Sequence, residues 1–195
     1  MNFRKRKCGW IEVICGPMFA GKTEELIRRT TRLEYAKKKY VVFKPTIDDR
    51  YSTCEIVSHS KYKKNAINIS KPKEMYKYIT NDTYAVIIDE IQFFSKDILP
   101  MIEEWADQGK RVICAGLDCD FKGEPFGIIP NLLAVAEDIT KLTAICTVCG
   151  EPATRTQRII NGEPAYATDP IVLVGATESY EARCRACHTV LHHEK

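Results

Sequence analysis

The stretch WIEVICGPMFAGKT, residues 10–23, decides the fold. Apart from Glu12, its first part is apolar and rich in β-branched residues, which is typical of a buried strand, and Gly16 ends this run. Residues 16–23 match the pattern G-x-x-x-x-G-K-[ST], and residues 23–38 carry apolar side chains near helical spacing. A strand, a glycine-rich turn and a helix in this order predict a loop that binds the phosphate groups of a nucleotide.

Phosphate binding explains each residue type in this loop. Gly16 and Gly21 let the backbone wrap closely around phosphate oxygens, and the N–H groups of the loop (which includes Met18) and of the helix start face the anion. Lys22 would place its charge on the β- and γ-phosphates, and Thr23 would ligate Mg²⁺ through its hydroxyl. The alternative is a chance glycine turn before a helix, which the correct flanking elements disfavour.

Strands and helices alternate over about the first 140 residues, as helices do when they cover both faces of a parallel sheet. Further strands are predicted at Tyr40–Lys44, Tyr84–Ile88 and Arg111–Leu117, and helices at Ser70–Ile79, Lys96–Gln108 and Asn131–Val135. Ser95 is the predicted N-cap of the second of these helices. Ligands bind outside the carboxyl ends of such strands, so the polar segments that follow them are the candidate site.

The predicted strand Tyr84–Ile88 ends in three apolar residues, Val86, Ile87 and Ile88, and two carboxylates follow it directly. In nucleotide-hydrolysing folds an acid at this point helps to hold Mg²⁺. Asp89 and Glu90 are adjacent, and adjacent side chains of an extended chain point in opposite directions, so one acid can face the metal while the other acts as a general base. The alternative is a solvated acidic pair in a turn. Phe93 and Phe94 follow, and they could stack on a base or belong to the core.

Four of the nine cysteines form two CxxC pairs, Cys146 with Cys149 and Cys184 with Cys187. Tetrahedral Zn²⁺ takes four such thiolates, so the quartet predicts a structural zinc site. The pairs flank a long arm, residues 150–183, and long loops in compact domains usually serve as lids or binding loops. The alternative is a set of buried or redox-active thiols.

Composition limits the other possibilities. The chain has 195 residues, 45% of them hydrophobic, and 29 basic against 26 acidic residues give a net charge of +3. This is the composition of an ordinary globular protein, and the charge is too mild to indicate nucleic-acid binding. The basic run at residues 4–7 does not continue into a signal peptide, and no apolar run approaches the ~20 residues of a membrane helix. A cytoplasmic location is expected, where thiols stay reduced. Cys15 and Cys114 are then expected in the core. The histidines near the cysteine quartet, His188, His192 and His193, are expected at the surface.

Three functions are compatible with these features. A small-molecule kinase would use the donor site, the metal acid, the base and the lid. A single-core, ATP-driven DNA-binding protein of helicase type with a zinc site would use the acidic box DEIQ, residues 89–92. A zinc-ribbon binding module would explain only the cysteines. DNA-stimulated ATP hydrolysis would identify the second, and nucleic-acid binding without ATP turnover would identify the third.

Taken together, the sequence resembles the thymidine kinases of the zinc-containing, cytosolic (type II) family, of bacterial type. The resemblance runs from Gly9 to Cys187, and its landmarks stand in the family's order: GPMFAGKT, KPTIDDRYS, IDEIQFF, AGLDCDFKGEPFG, KLTAICTVCG, RTQR and VGATESYEARCRAC. It implies an α/β fold with a P-loop NTPase-like parallel sheet core, an ATP-binding domain at residues 1–141, and a small zinc-binding domain at residues 142–195 whose lasso loop covers residues 150–183.

The resemblance also implies an activity. It implies transfer of the ATP γ-phosphate to the 5′-hydroxyl of thymidine, and of deoxyuridine, which gives dTMP and ADP in the salvage pathway. Mg²⁺ with ATP and structural Zn²⁺ are the implied cofactors. A homotetramer and feedback inhibition by dTTP are implied as well, with no nucleic-acid or membrane partner.

The family's site residues carry over where this sequence matches its motifs. Glu90 is then the general base, and Asp89 belongs to the Mg²⁺ network with Thr23. The implied ATP and phosphate contacts are Gly16, Met18, Gly21, Lys22, Thr23, Arg50, Asp89 and Gln92. The implied contacts to the nucleoside are Met18, Asp48, Phe93, Leu117, Phe121, Thr156, Ile171, Val172, Leu173, Val174, Gly175 and Tyr180. The implied zinc ligands are Cys146, Cys149, Cys184 and Cys187.

Overall fold

The core of the protein is a six-stranded parallel sheet. The structure, a computed structural model, describes residues 8–46, 66–171 and 178–193. The strands of this sheet are β1 (Trp10–Cys15), β2 (Tyr40–Pro45), β3 (Ala66–Ile69), β4 (Ala85–Ile88), β5 (Arg111–Gly116) and β6 (Asp138–Lys141). Their spatial order is β3-β2-β4-β5-β1-β6, and every neighbouring pair is parallel. The α/β class and the parallel core predicted from the sequence are therefore confirmed.

Helices cover both faces of this sheet, as near-continuous apolar strands require. They are α1 (Lys22–Tyr35), α2 (Ile98–Asp107) and α3 (Ile129–Val135), with 3-10 helices at Pro72–Lys77 and Ile91–Phe93. On one face Leu26 and Leu33 of α1 pack on the strands, and on the other face Trp105 of α2 and Leu132 of α3 do so. All residues of β1 and β4 are consequently buried.

Some predicted elements differ from the observed ones. The strands β3 and β6 were not predicted, because both are four-residue edge strands whose sequences, AINI and DITK, lack a continuous apolar run. The helix predicted over residues 70–79 is a short 3-10 helix. Ser95 is not an N-cap: α2 starts after Asp97, without a side-chain cap, and Ser95 only accepts a backbone hydrogen bond from Ile98 N–H. Pro100 lies in the first turn of α2, where its missing N–H costs little.

A buried ion network fixes α1 against the sheet. Glu12, in the middle of β1 and 1% exposed, pairs with Arg29 of α1 and with Arg111 of β5, whose Nε lies 2.6 Å from Glu12 Oε1. Arg29 also donates to Thr140 of β6 at 2.7 Å. Because α1 begins directly at the phosphate loop, this network positions the loop as well as the helix.

The antiparallel strands follow after β6. The strands β7 (Ala144–Ile145) and β8 (Pro152–Ala153) form one hairpin, and β9 (Arg155–Ile160), β10 (Glu163–Pro164) and β11 (Glu178–Arg183) form a three-stranded sheet with the order β10-β9-β11. The predicted domain boundary between residues 141 and 142 falls between β6 and β7 and stays a prediction. Within the described parts of the chain, no helix is both long enough and apolar enough to cross a membrane.

Candidate active site

The candidate site lies at the carboxyl ends of the parallel strands. The phosphate loop joins β1 to α1, Asp89 and Glu90 come directly after β4, and Leu117 comes directly after β5. Because β4, β5 and β1 are neighbours in the sheet, these segments meet at one edge, where ligands of open α/β sheets bind.

The phosphate loop has the predicted geometry of a glycine turn before a helix. Gly16 has φ +144°, and a Cβ there would lie 2.4 Å from the Leu142 carbonyl oxygen, so no other residue fits. Gly21 precedes α1 in a left-handed conformation, and Lys22 and Thr23 open the helix. Lys22 Nζ donates to the Pro17 carbonyl oxygen at 2.7 Å. This holds the lysine side chain over the loop.

The charges of Asp89 and Glu90, which follow β4 on the far side of β5, also act on Lys22. Burial lowers the pKa of Lys22, and the carboxylates of Glu90 and Asp89 oppose this shift. The loop lysine and the two acids are thus close enough to interact electrostatically, as a donor-phosphate site next to a metal acid and a base requires.

Asp89 is buried, and both its oxygens have partners. Its Oδ2 lies 3.0 Å from Lys44 Nζ, at the end of β2, and its Oδ1 accepts a hydrogen bond from Glu90 N–H at 3.0 Å. Carboxylate and hydroxyl oxygens are the ligands that Mg²⁺ prefers, so the donor set of Asp89 and Thr23 fits this ion.

Glu90 has an unusual backbone. Its φ of 52° and ψ of 40° lie in the left-handed region, which costs a non-glycine residue about 1–3 kcal/mol and is concentrated at functional sites. The expectation that Asp89 and Glu90 point apart assumed an extended chain, and Glu90 is not extended. Burial raises the pKa of Glu90, and the charge of the adjacent Asp89 raises it further. A raised pKa suits a group that must gain and lose a proton near neutral pH.

The predicted nucleoside contacts lie around this edge on several segments. Phe121 is 5% exposed, and the guanidinium of Arg158 lies 5.2 Å from the centre of its ring. Phe93 is 38% exposed and packs edge-to-face on Phe126, whereas Phe94 belongs to the core, so the two phenylalanines have different environments.

The arm contributes Thr156 on β9 and Tyr180 on β11. The Thr156 hydroxyl is buried and accepts a hydrogen bond from Met18 N–H of the phosphate loop at 3.1 Å. Tyr180 lies opposite Arg158 in the register of β11 and β9. Ile171 is partly buried, and its carbonyl oxygen lies 3.5 Å from Arg158 Nη1. Asp48, Arg50, Val172, Leu173, Val174 and Gly175 lie outside the described residues.

The four predicted zinc ligands come together. The Sγ atoms of Cys146, Cys149, Cys184 and Cys187 all lie within 4.8 Å of one another, and no other described residue joins this group. Cys149 Sγ and Cys184 Sγ are 3.7 Å apart, close to the edge of about 3.8 Å that a tetrahedron with Zn–S bonds of ~2.3 Å has. The donor set and its geometry therefore fit Zn²⁺.

The cysteine cluster also touches the phosphate loop. Ala144, Cys146, Ala153 and Ala182 form a small apolar core, and Ala20 of the phosphate loop packs against it.

His188 is only partly exposed, in contrast to the expectation of a surface residue, since its ring Nε2 lies 2.8 Å from the Phe121 carbonyl oxygen.

Sequence reasoning missed three charged residues at this edge. Lys44 pairs with Asp89. Asp118 is buried and pairs with Lys141 at 2.8 Å. Arg158 is fully buried between the Phe121 ring and the Pro170 carbonyl oxygen, to which its Nη1 donates at 2.6 Å. For Lys44 and Asp118 a signal was present, because each stands at or just after the carboxyl end of an apolar strand. Arg158 lies on a mixed strand whose burial the sequence does not indicate.

Comparison with known families agrees with this geometry. The family model described as thymidine kinase matches residues 9–188, which is nearly the whole chain.

Proposed function

The chain belongs to the thymidine kinase family, whose members phosphorylate thymidine, and we propose that it takes the phosphate from ATP and places it on the 5′-hydroxyl, giving dTMP and ADP. Deoxyuridine is the second proposed acceptor, and nucleoside salvage is the proposed pathway. The observation that supports this most strongly is that the phosphate loop with Lys22 follows β1 and that Asp89 and Glu90 follow β4, at the same edge of one parallel sheet.

In the proposed mechanism Glu90 acts on the acceptor. Its carboxylate accepts the proton of the 5′-hydroxyl while the oxygen attacks the γ-phosphorus. The raised pKa of Glu90 makes it a stronger proton acceptor than an exposed glutamate. Its left-handed backbone sets the direction in which the side chain leaves the main chain.

On the donor side the phosphate loop holds the β- and γ-phosphates. Lys22 and the backbone N–H groups of residues 16–23 stabilise the negative charge of these phosphates. Thr23 and Asp89 would hold Mg²⁺, which, when bound, neutralises charge on the transferring phosphoryl group. Arg50 and Asp48 are proposed to assist on the phosphate and acceptor sides, as the family resemblance implies.

Thymine specificity is proposed to come from the arm. A site that hydrogen-bonds one edge of the base rejects cytosine because the wrong base leaves buried polar groups unpaired. The proposed contacts are Thr156, Tyr180 and the backbone of residues 171–175, with Met18, Phe93, Leu117 and Phe121 enclosing the nucleoside. A closed arm also excludes water, which limits hydrolysis of ATP.

Zn²⁺ is proposed as a structural ion on the cysteine quartet, where it would link the β7–β8 hairpin to the end of β11. A homotetramer, feedback inhibition by dTTP, a cytoplasmic location and the absence of nucleic-acid and membrane partners complete the proposal.

An assay that couples ADP formation to a spectroscopic signal tests it. Turnover with thymidine and deoxyuridine but not with deoxycytidine is expected. ATP hydrolysis that is stimulated by DNA and indifferent to nucleosides would instead identify the helicase-like alternative.

A further inference from the structure

Arg158 is a fully buried arginine on β9, between two parts of the proposed nucleoside site. Its guanidinium carbon lies 5.2 Å from the centre of the Phe121 ring, and its Nη1 donates to the Pro170 carbonyl oxygen at 2.6 Å. The Ile171 carbonyl oxygen lies 3.5 Å from the same nitrogen. One side chain thus joins the segment that follows β5 to the part of the arm at residues 170–171.

The pleat of β9 places Arg158 on the same face as Thr156. Residues two apart on a strand point to one face, and a residue directly opposite on an antiparallel partner shares that face. Tyr180 of β11 is the residue opposite Arg158. Because the Thr156 hydroxyl accepts a hydrogen bond from Met18 N–H, this face is the one turned towards the phosphate loop.

The residue type matches these contacts. Burial of a charge is costly, and an apolar side chain could fill the same space without that cost. A guanidinium can do two things at once: its plane covers an aromatic ring, while its N–H groups donate to carbonyl oxygens in fixed directions. Methionine could only pack on the ring, and lysine could only donate.

Phe121 is consequently held at two points. The ring nitrogen Nε2 of His188 lies 2.8 Å from its carbonyl oxygen, which restrains the main chain. The guanidinium of Arg158 covers the side chain, so the orientation of the ring depends on Arg158.

We propose that Arg158 is a positioning residue for the nucleoside: its guanidinium sets the Phe121 ring and its Nη1 fixes the carbonyl groups of residues 170 and 171. This rests on the proposed function, in which Phe121 and the arm enclose thymidine. Arg158 acts through these groups and not on the phosphates. Its loss therefore weakens the binding of thymidine and leaves the donor site unchanged.

The test is the KM for thymidine and the KM for ATP, each measured with the other substrate saturating. Arg158→Met keeps a long side chain against the Phe121 ring but removes the charge and the donors. We expect its KM for thymidine to rise about 10- to 100-fold, the equivalent of one hydrogen bond from a charged group. Its KM for ATP should stay within about twofold of the wild-type value.

Arg158→Lys is the conservative variant. Lysine keeps the charge and can donate to the Pro170 carbonyl oxygen, but it has no planar fork to cover the Phe121 ring. Its KM for thymidine is therefore expected to lie between the values of the wild type and of Arg158→Met.

The matched control is Lys110→Met. Lys110 lies just before β5, at the opposite edge of the sheet, and is 6% exposed. Its ammonium donates to the carbonyl oxygens of Thr80 and Thr83 at 3.1 and 3.3 Å. This variant also loses a buried cation that binds main-chain carbonyl groups, so its thermal stability should fall while both KM values stay unchanged.

Thermal unfolding shows which variants are folded. The proposal is overturned if folded Arg158→Met keeps the wild-type KM for thymidine, if both of its KM values rise together, or if Arg158→Lys is no better than Arg158→Met. If Arg158→Met does not fold, Arg158→Lys decides: a rise confined to the KM for thymidine supports the proposal, and any other result overturns it. A wild-type protein that does not phosphorylate thymidine overturns the proposed function and this inference with it.

Discussion

The hydroxyl of Thr156 accepts a hydrogen bond from the backbone N–H of Met18 at 3.1 Å, which joins β9 to the phosphate loop. Ala20 of the same loop packs on the small core around the cysteine quartet. The part of the chain that carries the cysteine quartet is therefore in direct contact with the phosphate loop.

Thr156→Val tests this contact. Valine has nearly the same shape but accepts no hydrogen bond, so Met18 N–H loses a partner, at a cost of about 1–2 kcal/mol. We expect kcat/KM for ATP to fall roughly tenfold. Thr83→Val is the control, because the Thr83 hydroxyl also accepts a backbone hydrogen bond, from Thr80 N–H at 3.0 Å, just before the amino end of β4 and thus at the opposite edge of the sheet. A change confined to the KM for thymidine would show that Thr156 serves only the base.

Removal of zinc should loosen the arm before the sheet. The quartet links the β7–β8 hairpin to the end of β11, whereas the parallel sheet has its own core on both faces. After chelation, a protease should cut first within residues 150–183, and the KM for ATP should rise because Ala20 loses its packing surface. Cys184→Ser should behave like the chelated protein, and Cys8→Ser, outside the cluster, should not. Early cleavage between residues 10 and 46 or between 85 and 117 would contradict this order.

Glu90→Gln should leave the fold intact and lower kcat by about 10²- to 10⁴-fold, the usual contribution of a positioned base. The amide keeps the size of the side chain but accepts no proton from the 5′-hydroxyl. Steady-state kinetics and thermal unfolding measure the two effects separately. Glu103→Gln, an exposed change on α2, is expected to alter neither.

Glu12→Gln should destabilise the protein in a pH-dependent way. Burial alone would raise the pKa of Glu12, but hydrogen bonds and charge from Arg111, with Trp10 and Arg29, bring it below the ordinary value of 4.5. A depressed pKa contributes stability above the unfolded value, and this contribution disappears as pH falls through the folded value. At pH 7 the variant should lose about 3–5 kcal/mol, because the buried Arg29 and the partly buried Arg111 lose their shared carboxylate.

The same comparison at about pH 3.5 should give a smaller difference, because below the ordinary pKa of 4.5 the unfolded wild-type chain binds a proton that folding must remove, which reduces the stability gained from the ionised Glu12. Urea unfolding at both pH values measures it, with the exposed Glu163→Gln as control. An equal loss at both pH values would contradict the ionic origin of this stability.

Much of the core could be predicted because the sequence signals are local. The run of residues 10–15 and the following glycine motif predicted β1 and the loop, and the apolar run that ends at Ile88 predicted β4. The cysteine quartet was predicted because CxxC spacing alone brings two thiolates to one ion. These features depend on residues that are close in the chain.

What the sequence could not indicate depends on long-range contacts. The edge strand β6 is polar and forms only because β1 offers it a partner. The left-handed backbone of Glu90 and the hydrogen bond that Leu117 N–H donates to Gln92 Oε1 arise where β4 and β5 end side by side. No local pattern places Arg158 beneath Phe121, because their segments meet only in the folded chain.

The central claim is that this site moves a phosphoryl group from ATP to the 5′-oxygen of thymidine. Incubation with γ-labelled ATP and thymidine, followed by separation of the products, tests it most directly. We predict that the label appears in thymidine 5′-monophosphate, that 3′-deoxythymidine also accepts it, and that Glu90→Gln slows both transfers strongly. Label found only in inorganic phosphate, or on the 3′-oxygen, would contradict the account.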